Sequence, residues 1–140
     1  MKIYFACSIT GGREEESTFQ HLVRMLLDAG HDVPTAHIAE TGIEELDALE
    51  NPLDIYQRDV AWIEESEVLV AEVSTPSHGV GYEIGYALAL QKPVFCLSKR
   101  ESSVSKMITG NPDPLLRIAP YDSFRQASRL LLDYLEDLQT

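Results

Sequence analysis

Glu83 stands at the end of Ser74-Thr75-Pro76-Ser77-His78-Gly79-Val80-Gly81-Tyr82-Glu83, a hydroxyl- and glycine-rich loop that runs into a helical stretch. A carboxylate there suits two roles. Near the start of a helix it complements the positive end of the helix dipole. Held at the mouth of a site, it can stabilise or capture an electrophilic carbon, such as the oxocarbenium-like C1′ of a sugar losing its base. A departing nucleobase needs a second acid. Asp59, in Tyr56-Gln57-Arg58-Asp59-Val60-Ala61-Trp62, is the candidate, and it equally fits a solvated helix face paired with a neighbouring Arg. Tyr4, in the first apolar run, fits either a half-buried core position or a hydroxyl aimed at an acid.

A second loop, Ser8-Ile9-Thr10-Gly11-Gly12-Arg13, offers two hydroxyls, glycine-exposed backbone N–H groups, a cation and a helix N-terminus. That combination suits a phosphate; an ordinary glycine turn with an N-cap has the same look. The glycines Gly79, Gly81 and Gly85 follow a G-x-G-x-x-x-G spacing after a later strand, so they do not form a dinucleotide fingerprint. No Walker lysine and no metal-binding carboxylate cluster stands out, which argues against phosphoryl transfer. Cys7 and Cys96 each lie in an apolar run and read as core thiols rather than metal ligands. No cofactor and no metal is expected.

The elements that must carry these residues alternate along the chain. Lys2–Cys7 reads as a strand, Arg13–Ala29 as a helix closed by Gly30, and Asp32–Ala36 as a possible second strand. The acidic stretch His37–Glu50 has few periodic signals and reads as a long loop or irregular helix. Asn51-Pro52 opens a helix reaching about Ser66. Val68–Val73 is a near-continuous apolar strand of the buried parallel type. Further along come a helix through Ile84 and Leu88, a strand over Pro93–Ser98, a helical turn near Val104–Ile108, a short strand over Leu115–Ala119 and a last amphipathic helix capped by Asp122. This alternation predicts an α/β fold, a Rossmann-like or flavodoxin-like three-layer sandwich with a five-stranded parallel sheet, in one domain over residues 1–140.

Composition limits the partners. Eleven Lys and Arg against 23 Asp and Glu give a formal net charge of -12. Such a surface repels nucleic-acid polymers and anionic lipid, while a small anion can still bind through local N–H groups. Hydrophobic residues make up 44% of the chain, enough for a core without staples. Met1-Lys2-Ile3-Tyr4 enters a strand at once, and no run of about 20 apolar residues follows, so a cytoplasmic location is expected.

Several segments together carry a resemblance. Tyr4-Phe5-Ala6-Cys7-Ser8-Ile9 with Gly11-Gly12-Arg13, Asp59-Val60-Ala61-Trp62, Val70-Ala71-Glu72-Val73, Pro76-Ser77-x-Gly79-Val80-Gly81-Tyr82-Glu83-x-Gly85 and Ser105-Lys106-Met107-Ile108-Thr109-Gly110 resemble the 2′-deoxynucleoside 5′-monophosphate N-glycosidases. These are relatives of the nucleoside 2-deoxyribosyltransferases. The resemblance implies hydrolysis of the N-glycosidic bond through a covalent Glu83 glycosyl ester. Asp59 would protonate or orient the base, and Tyr4 would position Glu83. Ser8, Gly11, Gly12 and Ser77 would hold the 5′-phosphate, with Ile9, Thr10, Arg13 and Gly79 among the substrate-binding residues. Ser105, with Met107 beside it, would reach the site from a neighbouring subunit, which implies a homodimer. His37 would line the base pocket or remain a surface loop histidine. Animal members have Arg where this chain has Thr10, and an apolar residue where it has His78. A related bacterial branch hydrolyses cytidine ribonucleotides, so base and sugar preference stay open.

Two other readings remain. A nucleoside 2-deoxyribosyltransferase would pass the sugar to a second base and take an unphosphorylated substrate. A nucleotide-sensing module of the same architecture would bind without cleaving. The phosphate-type loops weigh against the first, and the set of Glu83, Asp59 and Tyr4 against the second.

Overall fold

The computed structural model describes residues 1–8, 13–36 and 51–140, and for residues 13–15 the backbone alone. Four parallel strands form one sheet: β1 (Ile3–Cys7), β2 (Val68–Glu72), β3 (Val94–Lys99) and β4 (Leu116–Tyr121), in the order β1-β2-β3-β4. The helices between them are α1 (Arg13–Asp28), α2 (Pro52–Glu65), α3 (His78–Ala89), the short α4 (Lys106–Thr109) and α5 (Phe124–Gln139).

The first three strands are buried on both faces, as near-continuous apolar strands require, while β4 at the edge is partly exposed. Alternate strand residues divide between two cores. Ile3, Phe5, Val68, Val70, Phe95 and Leu97 pack on one side against α1 through Phe19, Leu22, Val23 and Leu26, and against α5 through Ala127, Leu131, Tyr134 and Leu135. Tyr4, Ala6, Leu69, Ala71, Val94 and Cys96 face the other side, against Ile63 of α2 and Val80, Ile84, Ala87 and Leu88 of α3. This is the expected three-layer sandwich. Both cysteines are buried, and both are free thiols.

The fifth strand expected over Asp32–Ala36 is not formed: the described sheet has four strands, and Asp32 makes only a single parallel bridge to Lys2. Asp32 N donates to Met1 O at 3.1 Å and Ile3 N donates to Asp32 O at 2.8 Å. The next donor in that ladder would be residue 34, a proline with no N–H. The side chain of Thr35 takes over. Its Oγ1 accepts from Phe5 N at 3.1 Å and donates to Phe5 O at 2.7 Å, so the open edge of β1 is satisfied without a strand. Counted with this bridge, the spatial order is that of a doubly wound 2-1-3-4-5 sheet, whose switch point lies between β1 and β2.

Local chemistry explains the helix ends. Asn51 caps α2, accepting from Leu53 N at 2.9 Å, with Pro52 at the first helical position. Gly30, at φ 90°, ends the turn after α1. At the end of α3, Gln91 takes a left-handed φ of 62°, with Lys92 N bonded to Ala87 O and Gln91 N to Leu88 O, the Schellman arrangement. The cap of α5 is Ser123, not Asp122. Ser123 Oγ accepts from Gln126 N at 3.2 Å, while Asp122 pairs with Arg100.

No helix among the described residues is long and apolar enough to cross a membrane.

Candidate active site

Two helix faces and one strand build the cleft at the switch point. On α2, Tyr56, Asp59, Val60 and Ile63 recur at i, i+3, i+4 and i+7 and so share one face. On α3, Gly79, Tyr82 and Glu83 do the same. Between them lies a cavity of about 200 Å³. Beneath it, Tyr4 of β1 is almost wholly buried, and its hydroxyl donates a hydrogen bond to Glu83 Oε2.

The relative setting of α2 and α3 is pinned at their far ends. Lys92 Nζ donates to Glu64 O at 2.8 Å and to Ser66 O at 2.6 Å, placing a cation on the carbonyl end of α2. Tyr86 of α3 donates to Glu64 Oε1 at 2.9 Å. The start of α3 is held from the sheet. Glu72, 2% exposed at the end of β2, accepts from Ser74 N at 2.6 Å and Ser74 Oγ at 3.0 Å, and from the Tyr121 hydroxyl. Lys99 N in turn donates to Ser74 Oγ at 2.7 Å. The first residue of the Ser74–Glu83 loop is thus tied to β2, β3 and β4 together. Ser77 then caps α3, accepting from Val80 N at 3.3 Å.

Electrostatics in the cleft follow from this burial. Burial pushes the Glu83 carboxyl up to about 7 from an ordinary 4.5. The Tyr4 hydrogen bond opposes that rise, the Asp59 charge adds to it, and the Arg58 charge again opposes it. Burial also raises the Tyr4 hydroxyl far above its usual range, reinforced by Glu83 and Asp59, so Tyr4 is a hydrogen-bond donor at every working pH. Asp59 is paired with Arg58 Nε through Oδ1 at 2.9 Å. Asp59 thus has an arginine partner and lines the cleft.

The structure brings Glu83, Asp59, Tyr4 and Gly79 together. A Cβ at Gly79 would meet only Ser77 Oγ, at 4.0 Å, so packing does not demand a glycine there. Its effect is to leave that wall of the cleft open to backbone approach. Ser8 is buried at the carboxyl end of β1. Ser77, Ser105 and Met107 line a different cavity of about 680 Å³ on the other side of the α3 N-terminus, with His78 and Lys106. Ser105 accepts from Met107 N at 3.2 Å, and Met107 is 85% exposed. Ile9, Thr10, Gly11, Gly12, the Arg13 side chain and His37 lie outside the described residues. Sequence reasoning missed Tyr56 and Tyr82 as cleft walls. Their spacing from Asp59 and from Gly79 was the signal. Among the described residues no group of three or more His, Cys, Asp or Glu could hold a metal.

Several known proteins are similar to this chain. A Danio rerio 5-hydroxymethyl-dUMP N-hydrolase is 37% identical over 142 residues, covering 99% of this chain and 98% of its own. A Methanosarcina mazei protein, provisionally named 2′-deoxynucleoside 5′-phosphate N-hydrolase 1, is 36% identical over 136 residues, covering 97% and 84%. The solved CMP N-glycosidase of Clostridium botulinum superposes with a TM-score of 0.74 at 20% identity, covering 96% of this chain and 99% of that one, a likeness of fold. The family model for nucleoside 2-deoxyribosyltransferase matches residues 3–126, and the chain belongs to that family.

Proposed function

We propose that this protein hydrolyses the N-glycosidic bond of nucleoside 5′-monophosphates, releasing the free base and (deoxy)ribose 5-phosphate. The observation that carries the reading is the Glu83 carboxyl, half-buried in a cleft, held by the Tyr4 hydroxyl on one oxygen and facing Asp59. Relatives that span most of the chain and bear N-hydrolase names support the reaction class.

In this reading the second Glu83 oxygen attacks C1′. The C1′–N bond breaks, its electron pair leaves with the base, and the base takes its proton from a water oriented by the Asp59 carboxylate. A Glu83 glycosyl ester remains. The hydroxide left from that water attacks C1′, the ester C–O bond breaks, and Glu83 leaves as a carboxylate. The Tyr4 hydrogen bond favours the ionised form of Glu83, which is the form that attacks. Ser8 and Ser77, with Ile9, Thr10, Gly11, Gly12 and Arg13, take the 5′-phosphate end, and His37 takes the base. Ser105 and Met107 line the same cavity as Ser77, and Tyr82 lies between it and the Glu83 cleft. On the family resemblance, Ser105 reaches the substrate of a neighbouring subunit, and the working form is a homodimer. A cytoplasmic nucleotide pool is the expected source of substrate.

The test presents each deoxy- and ribonucleoside 5′-monophosphate to the protein, and separately an unphosphorylated deoxynucleoside with a second free base, and follows released base by chromatography. Base release confined to the 5′-phosphates supports hydrolysis. Base exchange without phosphate would identify a transferase, and absence of turnover on every substrate would leave a binding module. Glu83→Ala is expected to lower kcat by about 10³-fold or more while the protein stays folded.

A further inference from the structure

Arg58 is one residue before Asp59, and adjacent residues on a helix do not normally face each other. Here they pair nonetheless, Nε to Oδ1 at 2.9 Å, with both side chains about four-fifths buried (22% and 21% exposed). The guanidinium also lies 5.0 Å from the centroid of the Trp62 ring, one helical turn on. Trp62 is itself half-buried against the core on the α3 side of the sheet. The arginine is therefore braced on an aromatic face, and from that brace it holds a carboxylate that lines the Glu83 cleft.

We infer that Arg58 is a positioning residue for the reaction: braced on Trp62, it fixes the Asp59 carboxylate in the cleft and offsets the repulsion between Asp59 and Glu83. The inference rests on the proposed hydrolase chemistry and deepens it. Two carboxylates sharing one cleft each make the other harder to ionise. The proposed mechanism needs Glu83 ionised and Asp59 at hand, so a fixed cation beside the pair serves it. Tyr4 and Cys7 face Glu83 from β1, and Arg58 and Asp59 face it from α2. Of these four, Arg58 is the cation. Its charge acts on Glu83 and on Tyr4 alike, lowering both from where burial and the carboxylates push them. Lysine would keep the charge but not the planar fork or the ring stacking. Charge and orientation can therefore be separated by substitution.

The experiment compares the native protein with Arg58→Gln and Arg58→Lys. Gln is as good a helix former as Arg, so the helix persists. Two readouts are taken. One is the pH profile of kcat/KM on a nucleoside 5′-monophosphate. The other is the titration of the Glu83 carboxyl in the resting protein, followed by NMR of the carboxyl carbon. Arg58→Gln should move the Glu83 titration and the acidic limb of kcat/KM up by about half a pH unit or more, and lower kcat by about tenfold. Arg58→Lys should return the titration and the acidic limb to the native position while kcat stays depressed, since the fork that orients Asp59 is gone. An Arg58→Gln protein with native titration and native kcat overturns the inference, as does a loss of activity with no movement of the titration. Native protein that turns over no nucleotide would instead defeat the hydrolase reading, and the carboxyl titration would still decide the role of Arg58.

Discussion

The hydroxyl of Tyr4, in the first strand, donates to Oε2 of Glu83, 79 residues further along the chain in the second turn of α3. The contact joins the two sides of the sheet's switch point, since Tyr4 belongs to β1 and Glu83 to the helix that leaves β2. It also decides which Glu83 oxygen is engaged and which is left toward the cleft.

Removing that hydroxyl changes the acid without emptying the core. In Tyr4→Phe the ring still fills its buried position, but Glu83 loses the donor that favours its ionised form. The Glu83 carboxyl then titrates above its native value of about 7. The acidic limb of kcat/KM should move to higher pH, with activity at pH 7 down by about tenfold and partly recovered at pH 8.5. A rate–pH series on the variant and the native protein measures it.

Glu83 also costs stability at neutral pH. Its carboxyl titrates near 4.5 when unfolded and at about 7 in the fold. Between those values the unfolded chain binds fewer protons than the native one, so stability falls as pH rises. The contribution is fully present below 4.5 and is lost as pH passes through about 7. Glu83→Gln removes the dependence. At pH 8 the variant should be more stable than the native protein by about 1–3 kcal/mol, and at pH 4 the two should coincide. Denaturant unfolding at the two pH values gives the comparison, and a native-like Glu83→Gln at pH 8 would contradict it.

The loop that presents α3 depends on a buried carboxyl. Glu72 accepts from Ser74 and from the Tyr121 hydroxyl, and Thr18 of α1 also bonds the Tyr121 hydroxyl. Tyr121→Phe removes one donor from Glu72. We expect a loss of about 1–3 kcal/mol in unfolding free energy at pH 7, since a buried carboxyl loses one of its donors. The chevron or equilibrium midpoint reports it directly.

Thr35 closes the open edge of β1 with two hydrogen bonds to Phe5, and it is 1% exposed. Thr35→Val keeps the shape and removes both, leaving a buried N–H and C=O unpaired. A destabilisation of about 1–3 kcal/mol is expected. Faster exchange of the Phe5 amide with solvent deuterium should accompany it. An unchanged exchange rate would mean that the edge is protected by something other than Thr35.

Much of the frame can be read from the chain alone, because the signals involved are local. Apolar runs of strand length, helical periodicity in Phe19–Leu26 and the Asn51-Pro52 start are written within a few residues of where they act. The strand–helix alternation then implies a parallel, doubly wound sheet. The nomination of Glu83, Asp59 and Tyr4 came from residue type and from the resemblance carried by whole segments; position alone left each of them a plausible structural residue. Where local signals compete, the tertiary structure decided. Asp32–Ala36 has strand-like residues, yet Pro34 lacks the N–H that the ladder needs next, and Thr35 substitutes a side chain for it. Asp122 and Ser123 both suit a cap, and the pairing of Asp122 with Arg100 leaves the role to Ser123. The site's chemistry is also tertiary. The chain places Tyr4, Asp59 and Glu83 far apart, and only the packing of α2 and α3 on one face of the sheet makes them neighbours. The acidity of Glu83 arises from burial and from charges on other elements, quantities that belong to the packed molecule and to no single segment of its sequence.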